Sequence, residues 1–291
     1  MGRYLDPCNG FTFNRIFGKH PELTISFLNA LMPFEEERHI TNIEYLPIEQ
    51  IRNIPAKEDA LIDVRCKDNE GREFIVEIQI HWNNVFSYKL AFNASKVYVK
   101  QLNKIEIYEY SLPVYVLCIV DDIFDKETSK YYHHYKTIYY GDSSRAIEDL
   151  EFIMIELPKF TSENIEEKGM TTLWLRFLKE IEGEKYIVPA PELMENEYIR
   201  QAIALCSMSR FTDAEWDAYE NYWDIIRTEK SIIHEGRTEG LAEGLEKGRR
   251  EGLENVVVKS FENNLSFEII SSITGLSKED VISILERYKL I

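Results

Sequence analysis

Two runs with a period of two, joined by a turn, constrain this 291-residue chain more than any other feature. Ala60, Ile62, Val64 and Cys66 alternate with Leu61, Asp63, Arg65 and Lys67. After Asp68-Asn-Glu-Gly71, the residues Phe74, Val76, Ile78 and Ile80 alternate with Glu73, Ile75, Glu77 and Gln79. Successive strand residues point to opposite faces, so each run has one core face, and the Asn/Gly turn makes the pair a hairpin. A three-residue loop at 69–71 pairs positions summing to 140. A four-residue loop would set the polar face of one strand against the apolar face of its partner. Burial of one face selects the first register.

That register sets Asp63 opposite Glu77, with Cβ atoms roughly 4.5–5.5 Å apart and Gln79 two residues further along the same face. Carboxylates so close repel unless one is protonated or a cation bridges them. A hard divalent ion takes one or two carboxylates, keeps water and accepts phosphate oxygens. Such a site serves phosphodiester hydrolysis. A half-exposed hairpin with a merely wet polar face accounts for the same alternation.

Further strand-like runs lie at 42–51, 113–121, 132–140 and 151–157, rich in Ile, Val, Tyr and Phe. A helical pattern spans roughly 84–106, and Pro21 begins an N-terminal helix carrying Leu23, Ile25, Phe27, Leu28 and Leu31. Strands separated by a helix indicate an α/β or α+β sheet. On the 84–106 helix, Lys89, Lys96, Lys100 and Lys104 share an arc of roughly 80°. This stripe is either a solvated face or a cradle for a nucleic-acid backbone.

From about residue 170 the pattern is helical. Thr212-Asp-Ala-Glu215 is a capping box opening a helix with Trp216, Tyr219, Trp223 and Ile226 on one stripe, read as core-facing. Gly236, Gly240, Gly244, Gly248 and Gly252 recur every fourth residue. Each weakens a helix by about 1 kcal/mol relative to Ala, so this segment frays or gains a partner chain, and it reads as a linker or a self-association helix. The last thirty residues read as a plain helical hairpin turning at Gly275.

The net charge of −17 demands a local basic patch if the partner is nucleic acid. Cys8, Cys66, Cys118 and Cys206 lie far apart with no C-x-x-C, and the six His show no metal spacing, so all read as structural or surface residues. The longest apolar run, Leu112 to Val120, suits a buried strand and is too short for a membrane span. With no basic head and apolar stretch at the N-terminus, the expected location is cytoplasmic.

These residues resemble a known family. Asp63, fourteen residues before Glu77-Ile-Gln79, resembles the PD-(D/E)xK nuclease signature. More narrowly, the chain is similar to the Rpn-type recombination-promoting nucleases, also described as PD-(D/E)xK nuclease family transposases. The likeness is carried by Leu5-Asp-Pro with Phe13 to Gly18, Phe27 to Leu31, Ile62-Asp63-Val, Gly71 to Gln79, Tyr98 to Leu102, Ile155 to Phe160, Trp174 to Phe177 and the Glu-Gly repeats.

The resemblance implies a restriction-endonuclease-like mixed sheet flanked by helices, with a helical C-terminal region. It divides the chain into a core over 1–160, a helical part over 161–234, and the Gly-repeat helix with its hairpin over 235–291. It implies cleavage of DNA dependent on Mg²⁺ or Mn²⁺. Asp63 and Glu77 would be the metal ligands, and Gln79 would stand where the wider superfamily has a Lys. Gln brings hydrogen bonds but no positive charge. Where the family has an acid and a Lys in its first segment, this chain has Gly10 and Asn14. Asp6 remains as an upstream acid, and Lys89 takes the place of a basic residue after the hairpin. Two rivals stand beside an active nuclease: a non-cleaving descendant that binds DNA or assembles with itself, and a helical interaction protein.

Overall fold

The computed structural model describes residues 2–34, 38–46, 64–102, 112–139, 142–161, 169–181 and 186–291. These fall into two compact units, 1–224 and 225–291.

In the first unit, β1 (Gly2–Arg3) pairs antiparallel with β8 (Tyr186–Ile187). The unit is built on a six-stranded mixed sheet, in the order β2-β3-β4-β5-β7-β6. Its strands are β2 (Ile43–Tyr45), β3 (Val64–Asp68), β4 (Glu73–Gln79), β5 (Val114–Val120), β6 (Tyr132–Tyr139) and β7 (Asp142–Glu156). β4, β5 and β7 run parallel, with antiparallel pairs at both flanks. The register of β3 on β4 pairs Val64 with Val76, Arg65 with Ile75 and Lys67 with Glu73, which is the sum-140 register selected by burial of one face. Asp68 secures the turn. Its Oδ1 accepts from the backbone N–H groups of Glu70 and Arg72, and its Oδ2 accepts from Arg72 Nε at 2.6 Å. Gly71 completes the turn at φ +84°, a left-handed conformation that a side chain would strain.

Between β4 and β5 the chain crosses over through α3 (Asn84–Leu102), as a parallel pair requires. Its Phe86, Leu90, Ala94 and Val97 pack on Ile75 of β4 and on Val114, Val116, Cys118 and Val120 of β5. The opposite sheet face carries Val64, Cys66, Phe74, Val76, Tyr115, Leu117, Ile119, Ile153 and Ile155. Those residues are covered by α1 (Gly10–Phe17), α2 (Pro21–Leu31), α4 (Met170–Glu180), α5 (Pro191–Glu195) and α6 (Glu197–Cys206), around Phe13, Phe17, Phe27 and Trp174. Every residue of β5 is buried, because both of its faces are roofed by helices.

Three elements differ from the pattern reading. The residues ahead of α2 form a helix of their own, α1, because Asn9 accepts from the N–H groups of Phe11 and Thr12 and caps it. β7 starts at Asp142, nine residues before the apolar run, as the long partner of β6. The glycine repeat lies inside one continuous helix, α7 (Asp213–Glu262), opened by the reciprocal Thr212–Glu215 capping box. The four cysteines are buried and free. His133 and His134 face opposite ways and pair with Glu156 and Glu151.

In the second unit, α8 (Phe267–Thr274) and α9 (Lys278–Arg287) pack with Val257 of α7 through Ile270, Val281, Ile284 and Leu285. Gly275 turns the chain between α8 and α9 at φ +73°. Among the described residues, no helix is long and apolar enough to cross a membrane.

Candidate active site

Position 77 interrupts the apolar centre of β4, between Phe74-Ile75-Val76 and Ile78. β4 is paired on both sides, and its odd-numbered residues face α3, where Ile75 contributes to the core. Two residues on, that face presents the Glu77 carboxylate, only 1% exposed. Its Oε1 accepts from Asn93 Nδ2 at 3.1 Å. Its Oε2 has no hydrogen-bond partner among the described residues. Lys89 Nζ lies 3.8 Å from Oε2 and itself meets no acceptor among the described residues. Asn93 and Lys89 sit one helical turn apart on α3, so a single helix face reaches down over the carboxylate.

A buried ionised oxygen without a partner is costly and persists only where something compensates for it. The Lys89 contact and the Asn93 hydrogen bond compensate in part. The orphaned oxygen is the kind of donor a hard cation takes, although the Cys118 thiol is its direct neighbour on β5. Among the described residues, no group of three or more His, Cys, Asp or Glu could hold a metal. Glu77 thus offers one free oxygen to a hard cation, and holding one would require further donors.

Gln79 lies one step along the same strand face and is half-buried. Its Nε2 donates to the His81 carbonyl at 2.7 Å, which leaves the amide oxygen as an acceptor. Its own carbonyl accepts from Asp121 N–H at 2.8 Å, tying together the C-terminal ends of β4 and β5. Lys96 and Lys100 follow Lys89 along α3 and are half-exposed. Asp63 and Lys104 lie outside the described residues.

Asp6 lies in the turn before α1, where its Oδ1 accepts from Cys8 N–H at 2.7 Å. Burial first, then the neighbouring Asp6 and Asp121 carboxylates, push the Cys8 thiol well above its ordinary value. Asp6 and Asp121 thus act on the same thiol, and Asp121 follows the end of β5. Gly10 is buried in the first turn of α1, and a Cβ there would stand 2.8 Å from the Tyr222 ring. Tyr222 takes up the space that an acidic side chain at position 10 would need.

Pattern reading missed two residues. Asn93 carries no signal of its own, but it lies four residues from Lys89 on the helix after the hairpin, the spacing that stacks side chains on one face. Asp121 had a usable signal. It is an acid directly after a fully apolar strand, and open α/β sheets form their crevices at the carboxyl ends of parallel strands.

A family model described as PD-(D/E)XK nuclease family transposase matches residues 7–236. No curated protein and no solved structure matches the chain.

Proposed function

Because the chain belongs to the PD-(D/E)XK nuclease family transposases, we propose that it is a divalent-metal-dependent DNA endonuclease with Glu77 at its catalytic centre. Membership makes it a nuclease-family protein related to mobile DNA, for which DNA is the implied substrate. One observation carries the finer reading: a buried carboxylate with an unsatisfied oxygen, roofed by a lysine, on a central strand.

Each residue then has a task. Asn93 engages Oε1 and leaves Oε2 for a cation. Continuing the β3–β4 register by one residue would pair Asp63 with Glu77, and the two carboxylates would then hold Mg²⁺ or Mn²⁺ together. Such an ion, when bound, lowers the pKa of a water and neutralises charge at the phosphorus oxygens. The Lys89 ammonium offsets the repulsion between Glu77 and an incoming phosphodiester, the positive charge that Gln79 cannot supply. The Gln79 amide oxygen accepts a hydrogen bond from the attacking water and so orients it. Lys96 and Lys100 attract the DNA backbone, against the acidic charge of the chain as a whole.

A second reading is favoured by Tyr222, which fills the space beside Gly10 where the family carries an acid. On that reading the fold binds DNA and does not cut it.

Plasmid nicking separates the two. Purified protein should nick supercoiled DNA with Mg²⁺ or Mn²⁺ and not with EDTA, and Asp63→Ala or Glu77→Ala should abolish nicking. Absence of metal-dependent nicking in the wild type, with salt-sensitive DNA retention preserved, would establish the non-cleaving reading.

A further inference from the structure

Helix α3 carries three lysines and no acidic residue in nineteen positions, within a chain of net charge −17. Its inner face is spent on the sheet. Its outer face exposes apolar side chains: Val85 is 74% exposed, Tyr88 73%, Phe92 57% and Val99 51%. Water normally drives such side chains inward, and a contiguous exposed row of this kind marks a recognition surface.

The placement of the aromatic and basic residues is orderly. Tyr88, Phe92, Lys96 and Lys100 follow one another every fourth residue. Such a row forms a single ridge, rising about 6 Å and turning about 40° at each step. Its first two members offer flat π-faces and its last two offer cations. Phe92 lies one helical turn from Lys89, the residue over Glu77.

We infer that this face of α3 binds single-stranded DNA, with bases stacking on Tyr88 and Phe92 and the backbone held by Lys96 and Lys100. The inference rests on the reading of DNA as substrate and narrows it to an unpaired strand. Exposed aromatics beside cations suit single strands, because every base has a π-face and in a duplex those faces are already stacked. A second copy of the chain suits the ridge less well. A two-fold seam between α3 helices would bring lysine rows together with no acid on either helix to offset them. A polyanion complements the same charge.

The test uses the full chain in EDTA, so that cleavage does not intervene, with fluorescein-labelled (dT)20 and a duplex of equal length read by anisotropy. Wild type should bind the single strand at least about 10-fold tighter than the duplex. Tyr88→Leu and Phe92→Leu keep apolar bulk at exposed sites and remove the ring; each should weaken binding about 10-fold, the scale of one lost base stack. Phe92→Tyr should restore it. Lys96→Gln and Lys100→Gln should each lower the slope of log affinity against log salt by roughly 0.7. Circular dichroism checks that each variant is folded.

Unchanged affinity in both Leu variants, or preference for the duplex, overturns the inference. So does a wild-type dimer, by sedimentation without DNA, that Phe92→Leu converts to monomer. Nicking assays run alongside separate the two failures. Nicking dependent on Glu77 with ring-independent binding sinks the platform alone; ring-dependent binding without nicking sinks the nuclease reading alone.

Discussion

Lys89 Nζ stands 3.8 Å from Glu77 Oε2, an ion-pair distance at which neither atom gains a hydrogen bond. The pair is held by two elements with different duties. β4 must bury its α3-facing side to complete the core, and α3 must cross that side to reach β5. A carboxylate at position 77 is therefore buried by the fold itself, and side chains from the roof, Lys89 and Asn93, reach it.

That arrangement predicts opposite stability effects for the two partners. Lys89→Met should destabilise the protein by about 2 kcal/mol, below the 3–5 kcal/mol typical of a broken buried pair, because Lys89 is 26% exposed. Glu77→Gln removes the uncompensated charge and should raise the melting temperature while abolishing cleavage, the trade-off expected of an active-site acid. Thermal denaturation of both variants, without metal, checks the signs. A less stable Glu77→Gln would mean that the carboxylate is structural.

The hairpin turn offers a second test. Asp68 and Arg72 are both buried and ion-paired at 2.6 Å, and Arg72 also donates to the Arg38 carbonyl at 3.0 Å. Arg72→Met leaves Asp68 buried without its cation and should lower stability by about 3 kcal/mol. Urea unfolding reads this as a lower midpoint at constant slope.

Acid sensitivity should centre partly on Glu156. Burial alone would raise its pKa, but Lys159, the backbone N–H of Asp125, His133 and the backbone N–H of Phe124 hold it below the ordinary 4.5. A depressed carboxylate adds stability that is fully present above its unfolded pKa and is lost as pH falls through the folded value. Melting temperatures of wild type and Glu156→Gln should therefore differ at pH 7 and converge below about pH 4.5. A constant difference across that range would remove Glu156 from the acid response.

Position 10 provides a fourth. Gly10→Ala places a methyl 2.8 Å from the Tyr222 ring and should destabilise by about 1–3 kcal/mol. Tyr222→Leu relieves that clash, so the double variant should be more stable than the sum of the singles predicts, by at least about 0.5 kcal/mol. Additivity would mean that the two residues do not compete for space.

Alternation from Val64 to Gln79 carried the hairpin and its register, because a one-residue slip would turn a whole apolar face to water. Local spacing likewise showed α2 behind Pro21, the crossover helix, the Thr212–Glu215 cap and the turn at Gly275. Glu77 and Gln79 could be named as candidates from their strand face alone, although Asp63 and Lys104 lie outside the described residues. Pattern did not show that Lys89 leaves the basic stripe for Glu77, that Asn93 holds the same carboxylate, or that the Asp6 and Asp121 charges both raise the Cys8 thiol pKa.

The chain alone thus determined which residues form strands and helices and which faces they bury, since those follow from neighbours within a few positions and from the cost of exposing apolar surface. Tertiary structure alone decided what meets Glu77 and what fills the space beside Gly10. Those partners are twelve (Lys89) and sixteen (Asn93) residues away in one case and more than two hundred in the other. No local period encodes such contacts; they arise only when α3 is laid across the sheet and Tyr222 is packed against α1.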